Sequence, residues 1–345
     1  MTAANAPMSK PIIVVTNRVF PETLALLGAH GDVVANDRDD PWPAHDVRAR
    51  CSRADAMMAF MTDQIDADLL AACPRLKVIG AALKGYDNID AAAAERRGIW
   101  VTIVPDLLTV PTAELAIGLM LALGRHIRHG DRAIRAQGFH GWRPTLYGQG
   151  IAGTTVGIVG FGQVGRAIAQ RLAGFGCRVL AFDAHNRRGD GAGAPSVEMV
   201  RLDALLAASD CVVLALPLTS ATRHIIGKDA IAAMKPGALL VNPARGSLVD
   251  ETAVADALAA GRLGGYAADV FQCEDWARAD RPRGIDPRLT AADAPTVLTP
   301  HIGSAVASVR RAIELSAAHS IIEALSGARP RGAVNAPGER RACSA

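Results

Sequence analysis

Residues 154–165 read "TTVGIVGFGQVG". An apolar run over 155–159 leads straight into Gly160, Gly162 and Gly165, and a helical pattern follows over 164–172. Three glycines at this spacing are a weak signal alone. The strand before, the helix after, and Asp183 closing the next apolar run "CRVLAFD" about 20 residues on make the signal specific for a dinucleotide. Glycine lets the backbone approach a pyrophosphate, and the helix start, with Gln163 and Val164, offers N–H donors and a positive dipole end. The carboxylate accepts from the adenosine ribose hydroxyls. Asp183 would repel a 2′-phosphate, so the expected cofactor is NAD, with Arg187 and Arg188 close behind as a counterweight.

Outward from this stretch the chain alternates. Short apolar runs at 178–182, 211–216, 238–241, 265–268 and 297–298 follow it, and runs at 12–15, 57–61, 76–83 and 100–104 precede it, separated by Ala/Leu-rich helical patterns such as 89–97. Such alternation predicts βαβ units and parallel sheets, here two α/β domains. "VPTAELAIGLMLALGRHIRHGDRAIRAQ" reads as one long helix from Pro111, with a first half apolar on nearly all sides and therefore buried in a core or against another subunit. A last helix spans 305–325, and the Pro/Gly/Arg-rich tail from Gly327 reads as a mobile arm.

Composition narrows the class. The 345 residues are 50% hydrophobic and 21% charged, with a net charge of +3. That is a globular balance, and the charge is too small to imply a nucleic-acid or membrane partner. No apolar run reaches the ~20 residues of a membrane span. The start lacks a signal-peptide pattern, and the scattered cysteines form no Cys-x-x-Cys, so the expected compartment is the cytoplasm. His126 and His129 sit three apart without a third ligand nearby, and no metal is expected.

Polar residues close several of the later strands: Arg245 in "VNPARGSLVD", Asp269 and Glu274 in "AADVFQCED", His301 in "VLTPHIGS". In open α/β sheets ligands bind at the carboxyl ends of strands. Taken singly, each has an ordinary structural reading; together, behind a dinucleotide fingerprint, they suggest a catalytic set. Lys84 closes another run, "RLKVIGAALKGYDN". Position alone also fits a lysine whose stem covers apolar surface while its head reaches water.

Asn-x-x-Arg-Gly, the Glu beyond Asp-Val-Phe and Thr-Pro-His-Ile-Gly resemble the Arg/Glu/His set of the D-2-hydroxyacid dehydrogenases, and the resemblance runs from about residue 11 to residue 330. It implies a homodimer with two Rossmann-like or flavodoxin-like domains: a discontinuous substrate domain, 1–108 with 303–345, and an NAD-binding domain, 109–302, that includes the dimerisation helix. Within the family, "AMMAFM", "ALKGYDN", "VPDLLTVPTAELAIGL", "GWRPTLYG", "GGYAADVF" and "EDWARADRPR" resemble the phosphite-oxidising branch. The resemblance implies NAD-dependent oxidation of phosphite to phosphate. Arg245, Glu274 and His301 would be catalytic; Lys84, Met61, Trp142, Tyr147, Arg245 and Arg310 would bind substrate or wall its pocket; Thr112, Pro217, Pro243, Ala244 and Asp269 would join the glycines and Asp183 in holding the cofactor.

The chemistry explains the lysine. A 2-hydroxy acid offers one carboxylate, which a single guanidinium holds by a two-pronged bond. Phosphite carries more charge on three oxygens, a need that Lys84 with Arg245 would meet. His301 would take the proton of water as general base, oriented by Glu274. Two alternatives stand beside this reading: a 2-hydroxyacid dehydrogenase or reductase of glyoxylate or hydroxypyruvate, and a non-catalytic NAD(H)-sensing binding protein.

Overall fold

The β-branched and alanine-rich runs form two all-parallel sheets in a computed structural model that describes residues 10–185 and 197–338. The chain divides into two compact units, one drawn from Met1–Leu108, Trp276–Ala279 and Val306–Ala345, the other from Thr109–Asp275 and Asp280–Ala305.

In the first unit the strands β1 (Ile12–Val15), β2 (Asp32–Ala35), β3 (Ala56–Ala59), β4 (Val78–Ala81) and β5 (Trp100–Thr102) lie in the order β2-β1-β3-β4-β5. That is the flavodoxin-like order. β3 and β4 are buried at every position, as strands covered on both faces must be. The helix Ala307–Leu325 covers one face, where Gly80 of β4 admits Ile321: a Cβ there would lie 2.5 Å from Ile321 Cγ1. Ile13, Val15, Leu27, Val78, Ile313 and Ile321 form the core on that side. The tail departs from the expected mobile arm. Residues 332–335 run along β5, with Val334 N–H donating to Val101 O at 2.9 Å and Asn335 Oδ1 accepting from Val101 N–H at 2.9 Å. The exposed backbone of an edge strand is thereby covered.

In the second unit β6 (Thr155–Val159), β7 (Arg178–Phe182), β8 (Val197–Met199), β9 (Cys211–Leu214), β10 (Ala238–Asn242), β11 (Leu263–Ala268) and β12 (Thr296–Leu298) lie in the order β12-β11-β10-β9-β6-β7-β8. This is the dinucleotide-fold order with one strand added at its end, and the winding reverses between β6 and β9. The expected long helix is two: Thr109–Gly124, buried through Ala113, Ala116, Ile117, Met120 and Leu123, and Ile127–Gln137, which buries nothing. The break has a steric cause. Gln149 N–H donates to Gly124 O at 2.7 Å, a Cβ on Gly124 would meet Gln149 O at 2.7 Å, and His126 turns left-handed at φ 53°. Among the described residues no helix is long and apolar enough to cross a membrane.

Candidate active site

The glycine turn works as the fingerprint requires. Gly160 has φ +97°, and a Cβ on it would lie 2.4 Å from Ala215 O; one on Gly165 would lie 2.2 Å from Gly160 O. Strand, turn and helix close up only without side chains at these positions. A Cβ on Gly162 would meet nothing within 4 Å, which leaves open space at the start of the helix Gln163–Leu172, where a pyrophosphate belongs. Asp183 is pinned: Oδ2 accepts from Phe161 N–H at 2.8 Å and Oδ1 from His185 N–H at 2.9 Å. Beside it opens a cavity of about 920 Å³, walled by Phe182, Met199, Leu202, Leu206 and Ala233. Polar acceptor and apolar wall together suit a nucleoside. Arg187 and Arg188 lie outside the described residues.

The Arg/Glu/His set sits on three adjoining strand ends of the same unit. Arg245 follows β10, half-buried, in a turn fixed by Asn242, whose Nδ2 donates to Arg245 O at 2.8 Å and whose Oδ1 accepts from Ala244 N–H at 3.1 Å. Glu274 lies in the short turn after β11. Its Oε1 accepts from Phe271 N–H at 2.6 Å, and its Oε2 lies 2.7 Å from His301 Nδ1. The contact to a carboxylate makes Nδ1 the protonated nitrogen and leaves Nε2 as the acceptor. His301 itself stands in a left-handed conformation, φ 56°, held by Asp269. That carboxylate accepts from Thr299 Oγ1 at 2.6 Å, Ile302 N–H at 2.8 Å and Gly303 N–H at 2.8 Å. Burial pushes the Asp269 carboxyl above its ordinary value, opposed by those three donors. Expected as a cofactor contact, Asp269 is 1% exposed and spends most of its hydrogen-bonding capacity on the loop that presents His301. Thr112 stands nearby, its Oγ1 3.4 Å from where a Cβ on Gly303 would be. Pro243 and Ala244 lie at the end of β10, and Pro217 lies beyond β9.

In the first unit Lys84 follows β4 after the buried Leu83 and is half-buried. Arg310, near the start of the helix Ala307–Leu325, reaches the same strand end: Nη1 donates to Ala82 O at 3.3 Å, and the guanidinium lies 5.8 Å from the centroid of Phe60, which follows β3. Its side chain is 17% exposed, and burial lowers its pKa against the pull of Glu314, whose Oε1 is 3.9 Å away. Met61, half-buried, packs against the core cluster that includes Val14, Met57, Ile79 and Leu83. One feature of this end left no sequence signal. Asn88 Nδ2 donates to Phe60 O at 3.0 Å and Asp63 O at 2.7 Å, clipping the β3 loop to the β4 loop that carries Lys84.

Trp142 and Tyr147 are 82% and 76% exposed, on an irregular arm after the helix Ile127–Gln137.

Comparison with known proteins follows the same lines. The model for the D-isomer specific 2-hydroxyacid dehydrogenase, NAD binding domain, matches residues 117–303. A glyoxylate reductase of Thermofilum pendens is 39% identical over 95% of both chains. The chain belongs to the D-isomer specific 2-hydroxyacid dehydrogenase family. Among solved structures of like fold, the TT0316 protein of Thermus thermophilus has a TM-score of 0.84 at 33% identity, covering 94% of this chain and 99% of its own. An NADPH-dependent glyoxylate/hydroxypyruvate reductase of Sinorhizobium meliloti, in complex with NADP and malonate, has a TM-score of 0.79 at 28% identity, covering 97% and 100%. These relatives support an NAD-dependent oxidoreductase of this family. Relatives are named for glyoxylate or hydroxypyruvate reduction and, at 36% identity in Mycobacterium tuberculosis, for D-3-phosphoglycerate oxidation, which supports the family and not its phosphite-oxidising branch.

Proposed function

We propose that this dehydrogenase oxidises phosphite with NAD: phosphite, NAD and water give phosphate, NADH and a proton. The observation that carries the reading is the pair of cations, Lys84 and Arg310, gathered at the carboxyl end of β4. A dianion with three oxygens calls for more positive charge than a monocarboxylate. Bound NAD supplies the hydride acceptor. The P–H bond breaks with its electron pair leaving as hydride, an O–P bond forms from water, and His301 Nε2 takes the water proton while Glu274 stabilises the resulting imidazolium. Arg245, on the same unit as His301 and Glu274, opposes the charge that develops on the anion.

NAD is favoured over NADP by Asp183, held at the cavity edge by two backbone N–H groups. We also propose a homodimer formed through the helix Ile127–Gln137 and the arm after it. Ile127, Ile134, Phe139, Trp142 and Tyr147 expose apolar surface there, and a second copy of the chain would cover it. The scattered cysteines, with no Cys-x-x-Cys among them, favour a cytoplasmic enzyme.

A second reading, reduction of glyoxylate or hydroxypyruvate, is favoured by the names of the relatives. The two separate cleanly: NADH formation from phosphite and NAD against NADH loss with glyoxylate. The complete Glu274–His301 pair counts against a protein that only senses NAD(H).

A further inference from the structure

A buried polar network lies beneath the catalytic turns. Glu251, 3% exposed, opens the helix Glu251–Ala259. It exchanges hydrogen bonds with Gln272: Gln272 N–H donates to Glu251 Oε1 at 2.7 Å, and Glu251 N–H donates to Gln272 Oε1 at 3.2 Å. Gln272 Nε2 lies 2.8 Å from His224 Nε2, and because the amide oxygen already accepts, the NH₂ group is the donor. His224 N–H in turn donates to Ser247 O at 2.8 Å, and Ser247 N–H donates to Asp275 Oδ2 at 2.9 Å. The bonds therefore return to the turn they left, 272–275, with Glu274 inside it.

The same loop of bonds reaches Arg245. Gly246 lies flat on this turn, where a Cβ would fall 1.9 Å from Phe271 C and 2.3 Å from Gln272 N. The turns bearing Arg245 and Glu274 thus press backbone on backbone, with the Glu251–Gln272 exchange as a buried clamp. We propose that Glu251 is a positioning residue that acts through Gln272 to fix the turn carrying Glu274, and so sets the imidazole of His301 for proton transfer. This rests on the reading of His301 and Glu274 as the general-base pair. It does not depend on which substrate is oxidised.

The clamp's surroundings are anionic. Glu274, Asp275 and Asp286 all bear on the Glu251 carboxyl, with the Cys273 thiol and the Tyr266 phenol close by. Asp286 is itself paired with Arg288 at 2.7 Å. Burial, with these charges, pushes Glu251 up to about 7 against the Gln272 N–H bond. Glu251→Gln keeps an oxygen that accepts the same Gln272 N–H bond and so leaves the clamp closed, whereas Glu251→Ala removes it.

The test compares Glu251→Ala, Gln272→Leu and Glu274→Gln, with Glu251→Gln as the conservative rescue, using whichever of phosphite and glyoxylate the wild-type enzyme turns over. Glu251→Ala and Gln272→Leu are each expected to lower kcat about tenfold and leave KM for the nicotinamide cofactor within twofold, while Glu251→Gln stays within twofold of wild-type kcat. Both lesions should move the limb of the kcat/KM profile that reports His301, the acid limb in oxidation and the alkaline limb in reduction, to lower pH, as Glu274→Gln does, because the imidazolium loses its carboxylate. The double variant should be no worse than threefold below either single one, since the two residues act as one unit. Wild-type kcat in Glu251→Ala, or a lower kcat with the limb unmoved while Glu274→Gln moves it, would overturn the inference. An unmoved limb in Glu274→Gln would instead remove the base-pair reading, and this inference with it. Should Glu251→Ala fail to fold, Gln272→Leu decides alone.

Discussion

His301 presents Nδ1 to Glu274 at 2.7 Å, and that one contact assigns its chemistry to Nε2. Replacing the ring with alanine should cut kcat by on the order of 10²- to 10⁴-fold, the usual share of a general base. NADH binding, followed by its fluorescence, should stay within threefold of wild type; near-normal turnover would remove the base assignment. Asp183 makes a second prediction at this scale. Asp183→Ala should raise the NADP-to-NAD ratio of kcat/KM at least tenfold by removing the charge that opposes a 2′-phosphate; an unchanged ratio would place the selectivity elsewhere.

Asp63 offers a pH test of stability. Burial pushes its carboxyl up to about 6, against bonds from Thr16 Oγ1 at 2.5 Å and Phe60 N–H at 2.8 Å. The folded state thus holds this proton more tightly than the unfolded chain does. Its contribution to stability is full below the unfolded carboxyl value of ~4 and is lost as pH rises through about 6. In urea unfolding, Asp63→Asn should gain stability relative to wild type between pH 4 and pH 7.5, on the order of 2–3 kcal/mol at most. Parallel curves would contradict the assignment.

Elements carry these residues to their places. The helix Ala307–Leu325 seats on β4 at Gly80, and this packing brings Arg310 to Ala82 O. Gly80→Ala forces a methyl to within 2.5 Å of Ile321, so it should cost about 1–3 kcal/mol and raise the KM for the anionic substrate several-fold while leaving KM for the nicotinamide cofactor unchanged. Equal rises in both constants would show that the helix does not act through Arg310. Strands with dense β-branched runs, such as β6 and β9, were legible in the sequence, as were the glycine turn and the strand-end Arg, Glu and His. Edge strands were not. β2 (DVVA) and β8 (VEM) are short and half-exposed, so they lack the apolar run that betrays a buried strand. The break at His126 was hidden because no proline marks it; a chain crossing at Gln149, far along the sequence, makes it. Asp63, Asn88, Glu251 and Gln272 act through partners distant in sequence, which no local pattern records.

The whole molecule pairs a dinucleotide-binding unit with a unit whose sheet end gathers cations. The exposed helix Ile127–Gln137 and its arm predict a dimer by light scattering. Trp142→Glu with Ile134→Glu should shift the enzyme toward monomer, and an unaltered dimer would place the interface elsewhere. The substrate decides the rest. The most direct measurement follows NADH absorbance with purified enzyme, supplied with phosphite and NAD in one cuvette and glyoxylate and NADH in another. The account predicts NADH formation from phosphite with a kcat/KM at least 100-fold above that for glyoxylate, and loss of most of it in Lys84→Ala. Rapid NADH loss with glyoxylate and no NADH formed from phosphite would contradict it.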